Sequence, residues 1–293
     1  MNLIHAVVYG IIQGFTAYLP ISSDAHIRLI QFFLGWGADE SPEFTAFTAV
    51  IQLGPTLAVV IYFWKDIVPA VTALFAGSKA NPHDSKLAWG VVVGTIPIVI
   101  LGLLLQKHIE TTFRSLYWIG FSLIAIAVVM FIADRGQKGT RGFEDVKVTD
   151  GIFVGLWQCL ALIPGMSRSG STIVGSLFQG FKRETAAHFA FLLGIPSFTA
   201  AGIYELAKYH KALLGHYFLM PLVVSLIISG FVAYGCLKVF LEILQKRGVA
   251  PFVIYRIVLG VLILGLVKFG VVQPDAGANP LDTSAVSASS SSQ

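Results

Sequence analysis

Long apolar runs limit what this chain can fold into. Stretches of roughly 16–20 residues with at most one charge recur at 87–105, 116–133, 217–235 and 252–267. Each approaches the ~20 residues that a helix needs to cross a bilayer core. Inside hydrocarbon every backbone N–H and C=O must be bonded within the protein, and a helix does this within a single segment. Composition agrees: 55% of the residues are hydrophobic and 12% charged, against about 25% charged in a soluble domain. Mean hydropathy is +0.76. The expectation is an all-α polytopic membrane protein, one integral domain over 1–272 with a disordered polar tail at 273–293. A net charge of +4 suits basic cytoplasmic loops and calls for no nucleic-acid partner. Residues 1–10 have no basic n-region and lead to no small-residue cleavage site, so no cleavable signal is expected. Cys159 and Cys236 sit in apolar sequence with no metal-ligand spacing and read as packing residues.

Within this apolar background one stretch is out of place: Pro164-Gly165-Met166-Ser167-Arg168-Ser169-Gly170-Ser171-Thr172. An arginine at membrane depth costs at least ~2.5 kcal/mol, so something must offset it. Proline and two glycines predict a broken helix whose restart presents free N–H groups and a positive dipole end. With a guanidinium fork and several hydroxyls, the fitting guest is a phosphate or diphosphate. The plainer reading is a Gly/Ser-rich break that packs closely on a neighbour, with Arg168 reaching an interface or a carboxylate.

A second break lies near the N-terminus, at Gln13-Gly14-Phe15-Thr16-Ala17-Tyr18-Leu19-Pro20-Ile21-Ser22-Ser23-Asp24-Ala25-His26. Aligning Pro20 with Pro164 sets Ser23 opposite Ser167. About 140 residues also separate Gln52-Leu53-Gly54-Pro55 from Leu193-Gly194-Ile195-Pro196. The order of features thus repeats, over about 1–135 and 150–272. Matching broken segments in two halves point to a midplane site. Each half is expected to be a re-entrant hairpin followed by about three spanning helices, which would invert the second half relative to the first. Loop charge supports that topology: predicted inner loops at 64–88, 134–150, 181–187 and 245–250 carry eleven Lys and Arg. Outer loops at 31–46, 106–115 and 205–216 carry four. The bias places both termini outside; Asp39, Glu40 and Glu43 in the first outer loop agree in sign.

The first break supplies reactive groups. Ser22, Ser23, Asp24 and His26 follow Pro20 within six residues, a set suited to nucleophilic or acid–base phosphoryl chemistry. The same residues also suit a helix start, with Ser22 or Ser23 as cap and Asp24 favoured by the dipole. No Gly-x-x-x-x-Gly-Lys-Ser/Thr loop is present, which excludes a nucleotide-driven pump.

Together, Gly-Phe-Thr-Ala-Tyr-Leu-Pro-Ile-Ser-Ser-Asp-Ala-His and Pro-Gly-Met-Ser-Arg-Ser-Gly-Ser-Thr resemble the undecaprenyl-diphosphate phosphatase, or bacitracin-resistance, family. The likeness extends to Gln-Leu-Gly-Pro at 52–55, Gly94-Thr95-Ile96-Pro97, Ala186 to Pro196 and Tyr255-Arg256. It implies removal of the terminal phosphate of undecaprenyl diphosphate at the outer face of the bacterial inner membrane, recycling the carrier lipid of cell-wall synthesis. It implies a polyprenyl diphosphate substrate and a divalent cation, Mg²⁺ or Ca²⁺. Ser23 would be the nucleophile or orient a water, His26 the general base, Arg168 the charge stabiliser, and Gln13 a positioner of phosphate or water. Ser22, Ser167, Ser169, Thr172 and the backbone at Gly165 and Gly170 would bind the diphosphate.

One departure stands out. The family's first motif is Glu or Gln, then Glu four positions on; here these are Gln13 and Ala17. A methyl group can neither hold a metal nor move a proton. Three alternatives follow: Asp24 supplies the carboxylate and any metal contact, the chain is an inactive diphosphate-lipid binder, or Ala17 is engineered. A polyprenyl-phosphate transporter is the competing class, since broken helices in repeated halves describe that architecture too.

Overall fold

The computed structural model describes residues 1–36, 41–111, 115–136 and 139–272. The tail, Asp39, Glu40, Arg114 and Lys138 lie outside the described residues. Among those described, regular structure is helical apart from one isolated bridge between Arg141 and Phe181. The first half runs α1 (Leu3–Thr16), α2 (Ser23–Phe33), α3 (Pro42–Ile51), α4 (Leu53–Tyr62), α5 (Trp64–Ala76), α6 (Pro82–Thr111) and α7 (Leu116–Gly136). The second runs α8 (Val148–Gln158), α9 (Arg168–Phe178), α10 (Arg183–Lys208), the short α11 (His210–Leu213), α12 (Leu219–Arg247) and α13 (Ala250–Lys268).

Among the described residues, six helical stretches are long and apolar enough to span a bilayer: α3 with α4, then α6, α7, α10, α12 and α13. That is three in each half, with α1–α2 and α8–α9 as the shorter broken pairs. The stretch 64–88, expected to be an inner loop, instead carries α5 and the start of α6. The α3–α4 span is interrupted at Gln52 for a local reason. Pro55 has no N–H to give Ile51 O, so that carbonyl is left without its helical partner. Ser229 of α12 supplies the missing donor, with its hydroxyl 3.0 Å from Ile51 O.

Small residues decide which helices touch, as expected where the surrounding lipid is as apolar as a leucine. On α1, a Cβ at Gly10 would lie 2.9 Å from Ser225 O, and one at Gly14 2.5 Å from Ser229 O, both on α12. The Ser225 hydroxyl also reaches back to Ala6 O at 2.8 Å. On α8, Gly151 and Gly155 lie against Gly90 and Gly94 of α6, where any Cβ would collide with backbone. Each half therefore lays its first helix on the long helix of the other half. The last helices pair directly: a Cβ at Gly260 of α13 would sit 2.9 Å from Gly120 O of α7.

Arg141 latches the loop before α8 onto the end of α9. Its guanidinium reaches both Asp150 oxygens, at 3.0 and 2.5 Å, and Gln179 O at 3.0 Å. It also lies over the Phe181 ring, 4.3 Å from the centroid. Arg183 forms a two-point pair with Asp134, at 2.6 and 3.0 Å, tying the start of α10 to α7.

Candidate active site

Both breaks end on a strained serine. Ser22 has φ 74° and Ser167 φ 65°, the two non-glycine residues with positive φ among those described. A side chain held there costs of order 1–3 kcal/mol and persists only where surrounding contacts enforce it. Each serine immediately precedes a helix, Ser22 before α2 and Ser167 before α9. The equivalence is thus Ser22 with Ser167 and Ser23 with Arg168, one residue off the alignment through the prolines. Gly165 explains the offset: at φ +93° it takes up the additional residue of the second break. It also has to be glycine, because a Cβ would lie 2.7 Å from Ile119 O.

Arg256 on α13 joins the breaks. Its side chain is fully buried, and its guanidinium donates to Pro20 O at 2.9 Å in the first break. It also donates to Gly165 O at 2.6 Å and Met166 O at 3.3 Å in the second. A fourth bond goes to Leu123 O of α7, at 3.2 Å. The Pro20, Gly165 and Met166 carbonyls lie in the breaks, outside any helix, and a five-donor planar cation satisfies several at once. Ser169 adds a direct link, with its hydroxyl 3.2 Å from Leu19 O.

Arg168 is the first residue of α9. One guanidinium nitrogen donates to Ser197 Oγ at 3.2 Å, and the carbon sits 3.1 Å from the Phe198 ring centroid. Its Nε is buried without a hydrogen-bond partner, and among the described residues Arg168 forms no salt bridge. The opposite charge that bears on it is that of Asp24, which also feels Arg28. Ser197 Oγ stands 3.0 Å from Gly194 O and 3.1 Å from the amide of the fully buried Gln158.

The remaining predicted residues divide into two groups. Ser167 accepts from Gly170 N at 3.3 Å, and its hydroxyl lies 3.2 Å from that of Ser169. Thr172 is fully buried and donates to Arg168 O at 2.8 Å, so its hydroxyl holds the first turn of α9 and is not presented to a ligand. Gly165 and Gly170 serve the backbone path, the first through its carbonyl and the second through its N–H. In the first break, Ser22 makes no side-chain cap bond. Ser23 is half-buried and Asp24 exposed. Gln13 is buried on α1, one turn before Ala17, which is itself buried. His26 has its Nδ1 2.6 Å from Ser22 O and its Nε2 2.6 Å from Tyr255 Oη. Neither nitrogen contacts Ser23.

Arg256, Tyr255, Ser197 and Phe198 were not singled out from the residues as site groups. For Arg256 a signal existed, because it interrupts an apolar run just as Arg168 does. No trio of His, Cys, Asp or Glu able to hold a metal occurs among the described residues. A protein-built metal cage therefore does not fit among the described residues; Asp24 stands as a single exposed carboxylate in the first break.

Arg256 and Ser169 thus hold the two strained breaks together, with Arg168 at the start of α9 beside them. Residues 6–262 match the family described as Bacitracin resistance protein BacA. Among curated proteins, the chain is 46% identical over 283 residues to an undecaprenyl-diphosphatase of Chloroherpeton thalassium, covering 92% of this chain and 98% of the relative. It is 42% identical over 285 residues to one from Prosthecochloris aestuarii, covering 93% and 100%. A third, from Myxococcus xanthus, is 42% identical over 290 residues, covering 96% and 95%. With the match running over nearly the whole chain, the protein belongs to the bacitracin resistance protein BacA family.

Proposed function

We propose that the protein is a membrane phosphatase that removes the terminal phosphate of undecaprenyl diphosphate and so returns the carrier lipid monophosphate. The observation that carries this reading is Arg168: a half-buried guanidinium at a helix start, its Nε buried without a hydrogen-bond partner and with no salt bridge among the described residues, beside the first break, which holds Ser23, Asp24 and His26. The relatives named undecaprenyl-diphosphatase support the same substrate.

In this reading the diphosphate lies between the starts of α2 and α9. Arg168 and the first N–H groups of both helices neutralise it and take up the charge that develops on the transferring group. Ser23 attacks the terminal phosphorus or orients a water that does, and His26 receives the proton. Gln13 orients phosphate or water by hydrogen bonds. Asp24 would hold a divalent cation bound by the phosphates, which supplies further charge neutralisation. We read the two halves as repeats of opposite orientation with both termini outside, and the cleft as opening to the outer face of the inner membrane. The exchange of α1 and α8 between the halves supports that reading.

Ala17 bears on rate more than on grip, since a carboxylate there would place a metal or move a proton and would not hold the lipid. The test is phosphate release from undecaprenyl diphosphate by the purified protein, beside Arg168→Ala. Release that depends on Arg168 is expected. Binding of prenyl monophosphate with its movement between leaflets, and no release, would favour a transporter.

A further inference from the structure

The base of this site has no free nitrogen. Both ring nitrogens of His26 lie 2.6 Å from a partner, Nδ1 from Ser22 O and Nε2 from Tyr255 Oη. A carbonyl oxygen only accepts, so Nδ1 carries a proton. In the neutral ring Nε2 is therefore the acceptor, and the Tyr255 hydroxyl donates to it. The two rings are nearly parallel, at 7° with centroids 5.7 Å apart. Tyr255 is 42% exposed, whereas His26 is half-buried. Tyr255 is also held in place, because Arg256 beside it anchors α13 to both breaks.

With Nε2 already bonded to Tyr255 Oη, a proton that reaches this nitrogen comes through the phenol. We propose that Tyr255 is a catalytic proton relay between the attacking hydroxyl and His26. This rests on the phosphatase reading above. As the attacking oxygen, of Ser23 or of water, bonds to the terminal phosphorus, its proton passes to Tyr255 Oη. The proton already on Oη passes to His26 Nε2. The bridging P–O bond breaks, and its electron pair leaves with the lipid monophosphate. Tyr255 ends neutral, with one proton as before. His26 ends as imidazolium, its Nδ1–H still bonded to Ser22 O. No metal, oxidant or further reactant enters the transfer.

The relay separates from a merely structural contact by how rate responds to the acidity of the phenol. The experiment measures phosphate release from undecaprenyl diphosphate by full-length protein in nanodiscs. It compares wild type, Tyr255→Phe, His26→Ala and a series with fluorinated tyrosines at 255. Tyr255→Phe should lower kcat by about 10²-fold or more, within the range lost with a proton-transfer group. KM should stay within about threefold, since the ring still fills its place. Along the fluorinated series kcat should track phenol acidity. A Tyr255→Phe kcat within about threefold of wild type, or a series with no dependence on acidity, would overturn the relay and leave the phosphatase reading intact. No release by wild type would sink both. Release untouched by His26→Ala would remove the base and the relay with it.

Discussion

The two hairpins are built on one backbone device and put it to different use. Ser22 and Ser167 share the same strained φ immediately before a helix. In the second hairpin the strain is closed off: Ser167 caps α9 through Gly170 N, and residues 169–177 are buried. In the first, Ser22 makes no cap bond, and α2 buries only Ala25, Ile27 and Gln31. A rigid, packed helix start suits a fixed anion seat, where preorganised charge is worth most. A less buried start, with an exposed acid and a hydrogen-bonded histidine, suits groups that must exchange protons. The second hairpin carries the arginine, the first the serine, acid and histidine, which in the proposed reading divides binding from reaction.

The strongest test of that division is Arg168→Ala. It should abolish phosphate release and weaken binding of diphosphate lipid by about 2–5 kcal/mol, roughly 30- to 10³-fold or more. Insertion and purification should be unchanged. Unaltered lipid affinity, read by titration in nanodiscs, would make the second hairpin structural and collapse the comparison.

Ala17 probes the reactive side. Ala17→Glu is expected to raise kcat by about 10²–10⁴-fold, with KM little changed. If Asp24 already does this work, Asp24→Asn abolishes wild-type activity and Ala17→Glu adds little. Wild-type activity that is high and survives Asp24→Asn would remove any required carboxylate from the first hairpin.

Arg256→Leu acts on both hairpins at once. Each buried carbonyl left unpaired costs about 1–3 kcal/mol, so melting in detergent should fall and activity vanish. Arg256→Lys should recover part of the melting temperature, because an ammonium can still serve some of the carbonyls. A wild-type melting curve for Arg256→Leu would mean that the breaks hold themselves.

The smallest effects sharpen the contrast between caps. Ser22→Gly relieves a positive φ and loses no cap bond, so it should stabilise by about 1 kcal/mol. Ser167→Ala keeps the strain and loses the cap, costing about 1 kcal/mol. Equal effects at both positions, measured by thermal unfolding, would erase the difference between the hairpins.

Much of this architecture is legible in the sequence. Apolar length at 87–105 or 252–267 dictates spanning helices because the bilayer leaves the backbone no other way to bond. Arg168 among glycines and hydroxyls marks a helix break in the sequence, and the structure restarts the helix at that arginine. Other features were hidden. Proline alignment misjudged the register by one residue, since spacing does not reveal that Gly165 would absorb the extra position by a positive φ. Thr172 reads as a ligand donor in sequence, yet its hydroxyl turns back to Arg168 O.

What the chain alone determined is therefore the class: six helical spans and two breaks, one cationic and one reactive. Only the tertiary structure decided who partners whom. Arg256 reaches Pro20 and Gly165 across 236 and 91 residues, and Tyr255 reaches His26 across 229. Periodicity records which face of a helix is apolar, but it carries no information about which distant carbonyl or imidazole a side chain will meet. That is settled when Gly10, Gly14, Gly151 and Gly155 let the helices of the two halves close on one another, bringing the breaks within reach of α13.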